Sequence, residues 1–224
     1  MLLRNRGRRT AVHHPLFARA YVRLGPLADA HAGVRPLRRE LLAGLSGRVI
    51  EIGAGGGLNF AHYPGTVSEV VAIEPEAALR QAARTEAVRA EVPVDVVPGV
   101  AEALPVKSEA FDAAVVALVL CSVRDVERAL AELRRVLRPG AELRFLEHVR
   151  AEGRGLRAVQ RAADRTVWPL LNGGCHTGRD TVAALRAAGF AVESHRRLRV
   201  PPRGITLPSS PMVLGTARRP ETAG

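Results

Sequence analysis

The stretch "VIEIGAGGGLNFAHYP", residues 49–64, places an acid, three alternating glycines and an asparagine directly after a run of apolar residues. Arg48–Ile52 reads as a short buried strand, and Gly53, Gly55 and Gly57 spell G-x-G-x-G in the loop that follows. A glycine loop at a strand end lets backbone approach a ligand with no side chain in the way. The nicotinamide fingerprint G-x-G-x-x-G would need a glycine at position 58, where Leu58 stands. Glu51 precedes the loop, and a carboxylate there repels a pyrophosphate but suits a cation. A second acid, Glu74, closes the next strand about twenty residues on, where a carboxylate can accept both hydroxyls of a ribose. A ligand with a ribose, an ammonium, a sulfonium and no phosphate fits both acids, and S-adenosylmethionine is such a ligand.

Outward from this loop, strands and helices alternate. "EVVAI" (69–73) is a second buried strand, and residues 76–90 form an alanine-rich helix. "PVDVVPG" (93–99), "FDAAVVALVL" (111–120) and "ELRFLEHV" (142–149) are three more strands. Residues 125–137 form an amphipathic helix capped by Asp125 and stopped by Pro139-Gly140. Residues 57–63 start a short helix before Pro64, a helix covers about 155–170, and another covers 177–188 with Gly189 as its stop. Strands near 190–198 and 211–217 close the sheet as a hairpin. This alternation predicts an α/β fold, a parallel sheet with helices on both faces and a ligand beyond the C-terminal strand ends. Before the first strand, "PLRRELLAGLSG" (36–47) sets Leu37, Leu41, Leu42 and Leu45 at helical spacing, so residues 1–47 read as a basic helical lead-in.

Composition limits the possibilities. The 224 residues are 47% hydrophobic, enough for one well-buried domain, and only 4% aromatic, so Ala, Val and Leu must build the core. No apolar run approaches the roughly 20 residues of a membrane span. The basic N-terminus lacks a long apolar segment and is not read as a secretory signal, which makes the cytoplasm the default location. Cys121 and Cys175 form neither a disulfide framework nor a four-ligand metal site, so no metal is expected. The net charge of +11 is segregated: +8 over residues 1–50, −5 over 51–149 and +8 over 150–224. Basic flanks can meet nucleic acid, an anionic membrane surface or acidic substrates, or can simply form a solvated surface.

With the loop, Glu74 and the stretches "GVAEALP", "FDAAVVALVLCSVRD", "ALAELRRVLRPG", "FLEHVRA" and "GGCHTGRDTVAALRAAGF" assembled, the chain resembles a class I S-adenosylmethionine-dependent methyltransferase of the methyltransferase domain 11 kind. Within that kind it is most similar to the methyltransferase-like thiol S-methyltransferases and their bacterial relatives. The resemblance implies a Rossmann-like seven-stranded, mostly parallel sheet with an antiparallel C-terminal strand. It divides the chain into a lead-in or lid (1–47), a methyltransferase domain (48–217) and a tail (218–224). It also implies that Glu51, Gly53, Ala54, Gly55, Gly57 and Asn59 surround the methionine part. Glu74 and Pro75 lie at the ribose, Ala101 and Glu102 along the adenine, and Ala117 and Leu118 on the pocket floor. The sequence departs from the family pattern at Gly56, usually Thr or Asn, at Ala141, usually Gly, and at Val100, where many relatives carry Asp. The animal members begin with a hydrophobic anchor that the basic lead-in lacks.

Methyl transfer is an in-line displacement, to which alignment contributes up to about 7–11 kcal/mol. A base is needed only where the nucleophile must lose a proton, and a thiol near pKa 8.5 ionises partly unaided. No catalytic residue is therefore assigned. His148 at a strand end, His176 beside Cys175 at a helix start, and Cys121 near the cofactor are candidates for lining the acceptor pocket. The expected activity is methylation of a small molecule, a thiol or a phenol or quinol, with peripheral membrane contact left open. An RNA methyltransferase using the basic flanks and a non-catalytic nucleotide-binding module are the alternatives. The first lacks an Asn-Pro-Pro-Tyr/Phe-type signature after the fourth strand, and the second meets Leu58.

Overall fold

The computed structural model describes residues 14–221, so the outermost parts of the lead-in and of the tail lie outside the described residues. Two helices come first, α1 (Pro15–Ala32) and α2 (Val34–Leu42), joined at Gly33. The strands are β1 (Gly47–Ile52), β2 (Val67–Ile73), β3 (Val94–Val97), β4 (Phe111–Ala117), β5 (Leu137–His148), β6 (Ala191–Arg199) and β7 (Pro211–Arg218). They build one seven-stranded sheet in the order β3-β2-β1-β4-β5-β7-β6. β1 is parallel to both β2 and β4, whereas β7 runs antiparallel between β5 and β6. Chain order reverses between β1 and β4, which opens the crevice beyond their C-terminal ends.

The apolar runs of β1, β2 and β4 are buried on both faces, as a parallel sheet covered by helices requires. Alternate residues feed two cores. Ile50, Ile52, Ala114, Val116 and Phe145 face α4 (Val126–Val136) and α7 (Thr181–Ala187), which contribute Leu130, Leu133, Val182 and Leu185. Val49, Val70, Ala72 and Val115 face α2 and α3 (Ala77–Ala87), which contribute Leu41, Leu42 and Ala83. Asp125 caps α4 as expected, its carboxylate accepting the Arg128 N–H at 3.0 Å.

Four boundaries differ from the sequence reading. Residues 57–63 form only a 3-10 turn, Phe60–His62, because Gly57 (φ 82°) and Pro64 leave too few residues between them for a helix. β5 starts at Leu137, not 142, and carries Pro139-Gly140 in an irregularity of its pairing with β4. The helix expected over 155–170 is two, α5 (Arg154–Asp164) and α6 (Trp168–Leu171), since Pro169 has no N–H to continue the hydrogen-bond ladder. The helix expected from 177 begins at Thr181, capped by Asp180, because the Asp164 carboxylate holds the N–H groups of Thr177 (2.7 Å) and Gly178 (2.9 Å) in a turn. Cys175 and His176 therefore do not stand at a helix start. No helix of the described residues is long and apolar enough to cross a membrane.

Candidate active site

The glycine loop turns sharply at the C-terminal end of β1. The N–H groups of Gly53 and Ala54 both donate to the Ile73 carbonyl, at 2.7 and 3.1 Å, which fastens the loop to the tip of β2. Gly53 has φ 67°, and a Cβ there would stand 2.5 Å from the Val119 side chain, so the loop lies hard against the chain leaving β4. Gly55 has φ 55°, and a Cβ there would meet only Tyr21 of α1, at 3.5 Å.

Glu51 lies beneath this loop, 2% exposed. Its Oε1 accepts from Asn59 Nδ2 and its Oε2 from the Tyr63 hydroxyl, both at 2.8 Å. Asn59 Oδ1 in turn accepts from Arg38 Nη1 at 3.0 Å, and Arg38 Nε donates to Asp29 at 2.8 Å. A continuous buried chain thus links α1, α2, the loop and the 3-10 turn. Burial raises the Glu51 carboxyl to about 7, against the opposing pull of Tyr63 and Asn59. Glu51 faces its partners and not open crevice, and it anchors the loop through Asn59.

Glu74 is the hinge of the crevice. Its Oε2 accepts the Gly55 N–H at 2.8 Å and its Oε1 accepts the Glu76 N–H at 2.9 Å. Burial raises its pKa, opposed by those two N–H donors. Glu76 Oε2 accepts the His14 N–H at 3.1 Å, which holds the start of α1 over the same strand tip. Pro75 is partly exposed beside Glu74, and its carbonyl accepts from Arg80 Nη1 at 2.5 Å.

On the far side, Ala101 is buried. Glu102 turns toward α4, its Oε1 accepting the N–H groups of Arg124 (2.9 Å) and Asp125 (3.3 Å) and its carbonyl accepting from Arg128 Nε at 2.9 Å. Ala117 ends β4, and Leu118 beside it has φ 63°. That left-handed conformation in a leucine is strained. The Leu118 N–H donates to the Leu146 carbonyl at 2.7 Å, which fixes the strained turn.

The acceptor end is organised by a residue that sequence reasoning passed over. Glu147 is completely buried and accepts the N–H groups of Val119 (2.8 Å), Leu120 (2.8 Å) and Cys121 (3.1 Å). Burial raises it to about 7 against those three donors. Its signal was an acid inside the apolar run "RFLEHV". Cys121 and Cys175 are buried and hydrogen-bond to each other. That bond pushes the Cys121 thiol well up, with burial adding to it, and draws Cys175 down. The His176 N–H donates to the Cys121 carbonyl at 2.8 Å, and His176 Nδ1 pairs with the Gly174 carbonyl at 2.8 Å. His148 leaves β5 on the opposite face from Glu147. Burial lowers its pKa to about 4, and its enclosed Nδ1 has no partner. The three acceptor-pocket candidates thus divide into a Cys121–His176 group and a separate His148.

α1 roofs the crevice. Ala18, Tyr21 and Gly25 recur along one face, and the small Ala18 and Gly25 are buried there. Phe17 packs where a Cβ on Gly173 would come within 2.7 Å of its ring. A cavity of about 850 Å³ lies elsewhere, between α4 and α7, lined by Leu130, Arg134, Thr181 and Ala184 among others. None of the predicted site residues lines it. The donor set fits S-adenosylmethionine: two carboxylates at adjacent strand tips and a glycine cradle whose open side holds only a movable tyrosine.

Comparison with known proteins points the same way. A family model described as a methyltransferase domain matches residues 50–145. The chain is 33% identical over 166 residues to the thiol S-methyltransferase TMT1A of Homo sapiens, covering 71% of this chain and 67% of that one. It is 31% identical over 161 residues to the ubiquinone/menaquinone biosynthesis C-methyltransferase UbiE of Syntrophotalea carbinolica, covering 67% of each. A solved SAM-dependent methyltransferase of Thermotoga maritima superposes with a TM-score of 0.64 at 23% identity, over 90% of this chain and 99% of that one, which is a likeness of fold.

Proposed function

The chain belongs to the methyltransferase-domain family, and from that membership we infer that it transfers a methyl group from S-adenosylmethionine, bound over the tips of β1, β2 and β4, to a small, partly apolar thiol. Family membership sets aside the nicotinamide alternative, and the relatives' names speak of thiols and quinones, not RNA.

When bound, S-adenosylmethionine supplies an activated methyl group that a nucleophile takes by in-line displacement. The residues of this chain bind and align. Glu74, fixed by two N–H donors, accepts the ribose hydroxyls with its remaining lone pairs. The backbone of residues 53–57 surrounds the methionine part, and the buried charge network under Asn59 favours its ammonium. Ala101 and the Glu102 backbone flank the adenine, and Ala117 and Leu118 form the floor. The lead-in acts as a lid: Tyr21 leaves its place over Gly55 to admit the ligand, then α1 covers it and excludes water.

The acceptor thiol ionises partly unaided, and His148, neutral at pH 7, lines its pocket. The single observation that most supports the reading is the Glu74–Gly55 bond, which joins a ribose-binding acid to the loop at the topological switch. The likeness to UbiE favours a quinol as the second acceptor class. Transfer of a labelled methyl group, screened across alkyl and aryl thiols and reduced quinones, tests the reading. Turnover of thiols supports it, turnover of quinols alone selects the second class, and no transfer to either rejects both.

A further inference from the structure

We propose that the face formed by α1, α5, α6 and the loop 202–207 docks on the surface of an anionic lipid bilayer. Among the described residues, the strongly exposed large apolar side chains lie on these four segments or, as Val167, on the turn joining α5 to α6, Val88 excepted. Leu16 of α1 is 81% exposed, Leu170 and Leu171 of α6 are 72% and 68% exposed, and Ile205 is 81% exposed. A protein surface that presents leucines singly needs no explanation, whereas a cluster confined to one face marks an interaction site.

The segments adjoin one another. α1 meets the turn after α6 through Phe17 at Gly173. Its other end meets the loop, since a Cβ on Gly33 would lie 4.0 Å from Pro202 Cδ. α5 is tied to the same loop by the Gln160 side chain, which donates to the Pro208 carbonyl at 2.9 Å. On α1 the inward face carries Ala18, Tyr21 and Gly25, so helical geometry sends Leu16, Arg23 and Leu27 outward together.

The charge on this face selects the partner. Arg19 and Arg23 on α1, Arg154, Arg161 and Arg165 on α5, and Arg203 on the loop are exposed. None of these six has an ion pair among the described residues, while the nearby acids are engaged elsewhere: Asp29 pairs with Arg38, Glu152 with Arg197, and Asp164 accepts from Thr177 and Gly178. The basic flanks of the sequence thus meet around an apolar patch. Leucines flanked by unpaired arginines match an interface of acyl chains and anionic headgroups. A second copy docked on the same patch would bring the arginines against one another.

The test uses the full chain without cofactor or acceptor, so its outcome is independent of the methyl-transfer reading. Co-sedimentation is measured with vesicles of phosphatidylcholine containing one quarter phosphatidylglycerol and with phosphatidylcholine alone. Binding is expected only to the anionic vesicles, and at least tenfold weaker in Leu170→Glu/Leu171→Glu, in Ile205→Glu/Leu207→Glu and in Arg154→Gln/Arg161→Gln/Arg165→Gln. Circular dichroism of the exposed-site variants should match the parent. Absence of binding to anionic vesicles overturns the proposal. So does undiminished binding by both leucine and isoleucine variants, which assigns attraction to charge alone. Light scattering that shows a dimer broken by Leu170→Glu/Leu171→Glu overturns it as well, giving the face to a second copy.

Discussion

The Tyr21 ring rests on the open side of Gly55, 3.5 Å from where that residue's Cβ would stand, and so a lead-in helix seals the mouth of the crevice. The same glycine donates its N–H to Glu74. Gly55→Ala places a methyl group between Tyr21 and the ligand and puts an L-residue at φ 55°. The backbone term costs about 1–2 kcal/mol. The expected outcome is a fall of a few degrees in Tm and a loss of at least tenfold in S-adenosylmethionine affinity by titration calorimetry. Unchanged affinity would place the ligand away from the loop.

Arg38 is 4% exposed and joins Asp29 of α1 to Asn59 of the loop. Removing one partner of a buried pair leaves the other uncompensated, typically at about 3–5 kcal/mol. Arg38→Ala should lower stability by a few kcal/mol and speed amide exchange along α1 more than along α4. Equal acceleration in both helices would mean that the link does not hold the roof.

Glu51 carries a pH signature. Its carboxyl is raised from 4.5 to about 7 in the folded chain. A group whose folded pKa exceeds its unfolded value is bound more tightly by protons in the native state, so its ionisation lowers stability as pH rises from about 4.5 to 7. A shift of this size corresponds to roughly 3 kcal/mol. Glu51→Gln keeps an oxygen for Asn59 and offers an N–H to the Tyr63 oxygen. Its stability relative to the parent, from urea unfolding, should therefore climb across that pH window and level off above it. A difference that is flat with pH would contradict a protonatable buried Glu51.

His148 keeps a neutral imidazole down to about pH 4. His148→Ala is expected to lower the rate of transfer at least tenfold while leaving the affinity for S-adenosylmethionine unchanged. The parent's kcat/KM against pH should show no limb near 6.5, only the rise that follows ionisation of the acceptor. A limb near 6.5 that disappears in the variant would show an exposed, ordinary histidine.

The glycine loop, the alternation of strands and helices and both strand-tip acids were legible because each rests on local pattern: apolar runs, glycine spacing and an acid at a fixed offset. The partners of Asn59, Glu51 and Arg38, did not show in the sequence. Arg38 falls on the same helical stripe as Leu41, Leu42 and Leu45, and a charge on an apolar stripe could have signalled a buried pair. Glu147 was hidden because its partners are backbone N–H groups of a bend 26 to 28 residues away, which no side-chain pattern marks. The start of α7 was missed for a similar reason: Asp164 holds Thr177, 13 residues downstream, in a turn ahead of it. A lid was expected over residues 1–47, but how α1 docks depends on close approach through Ala18 and Gly25 and not on any motif.

The most direct test is a calorimetric titration of S-adenosylmethionine into the intact chain and into Glu74→Gln, which keeps the size of the side chain but removes the charge that ribose hydroxyls seek. Hydrogen bonds to a charged acceptor contribute about 1.5–3 kcal/mol. Binding by the parent with a tenfold or greater loss in the variant is the expected result. Equal affinity in both, or no heat from the parent, would contradict a ribose seated on Glu74.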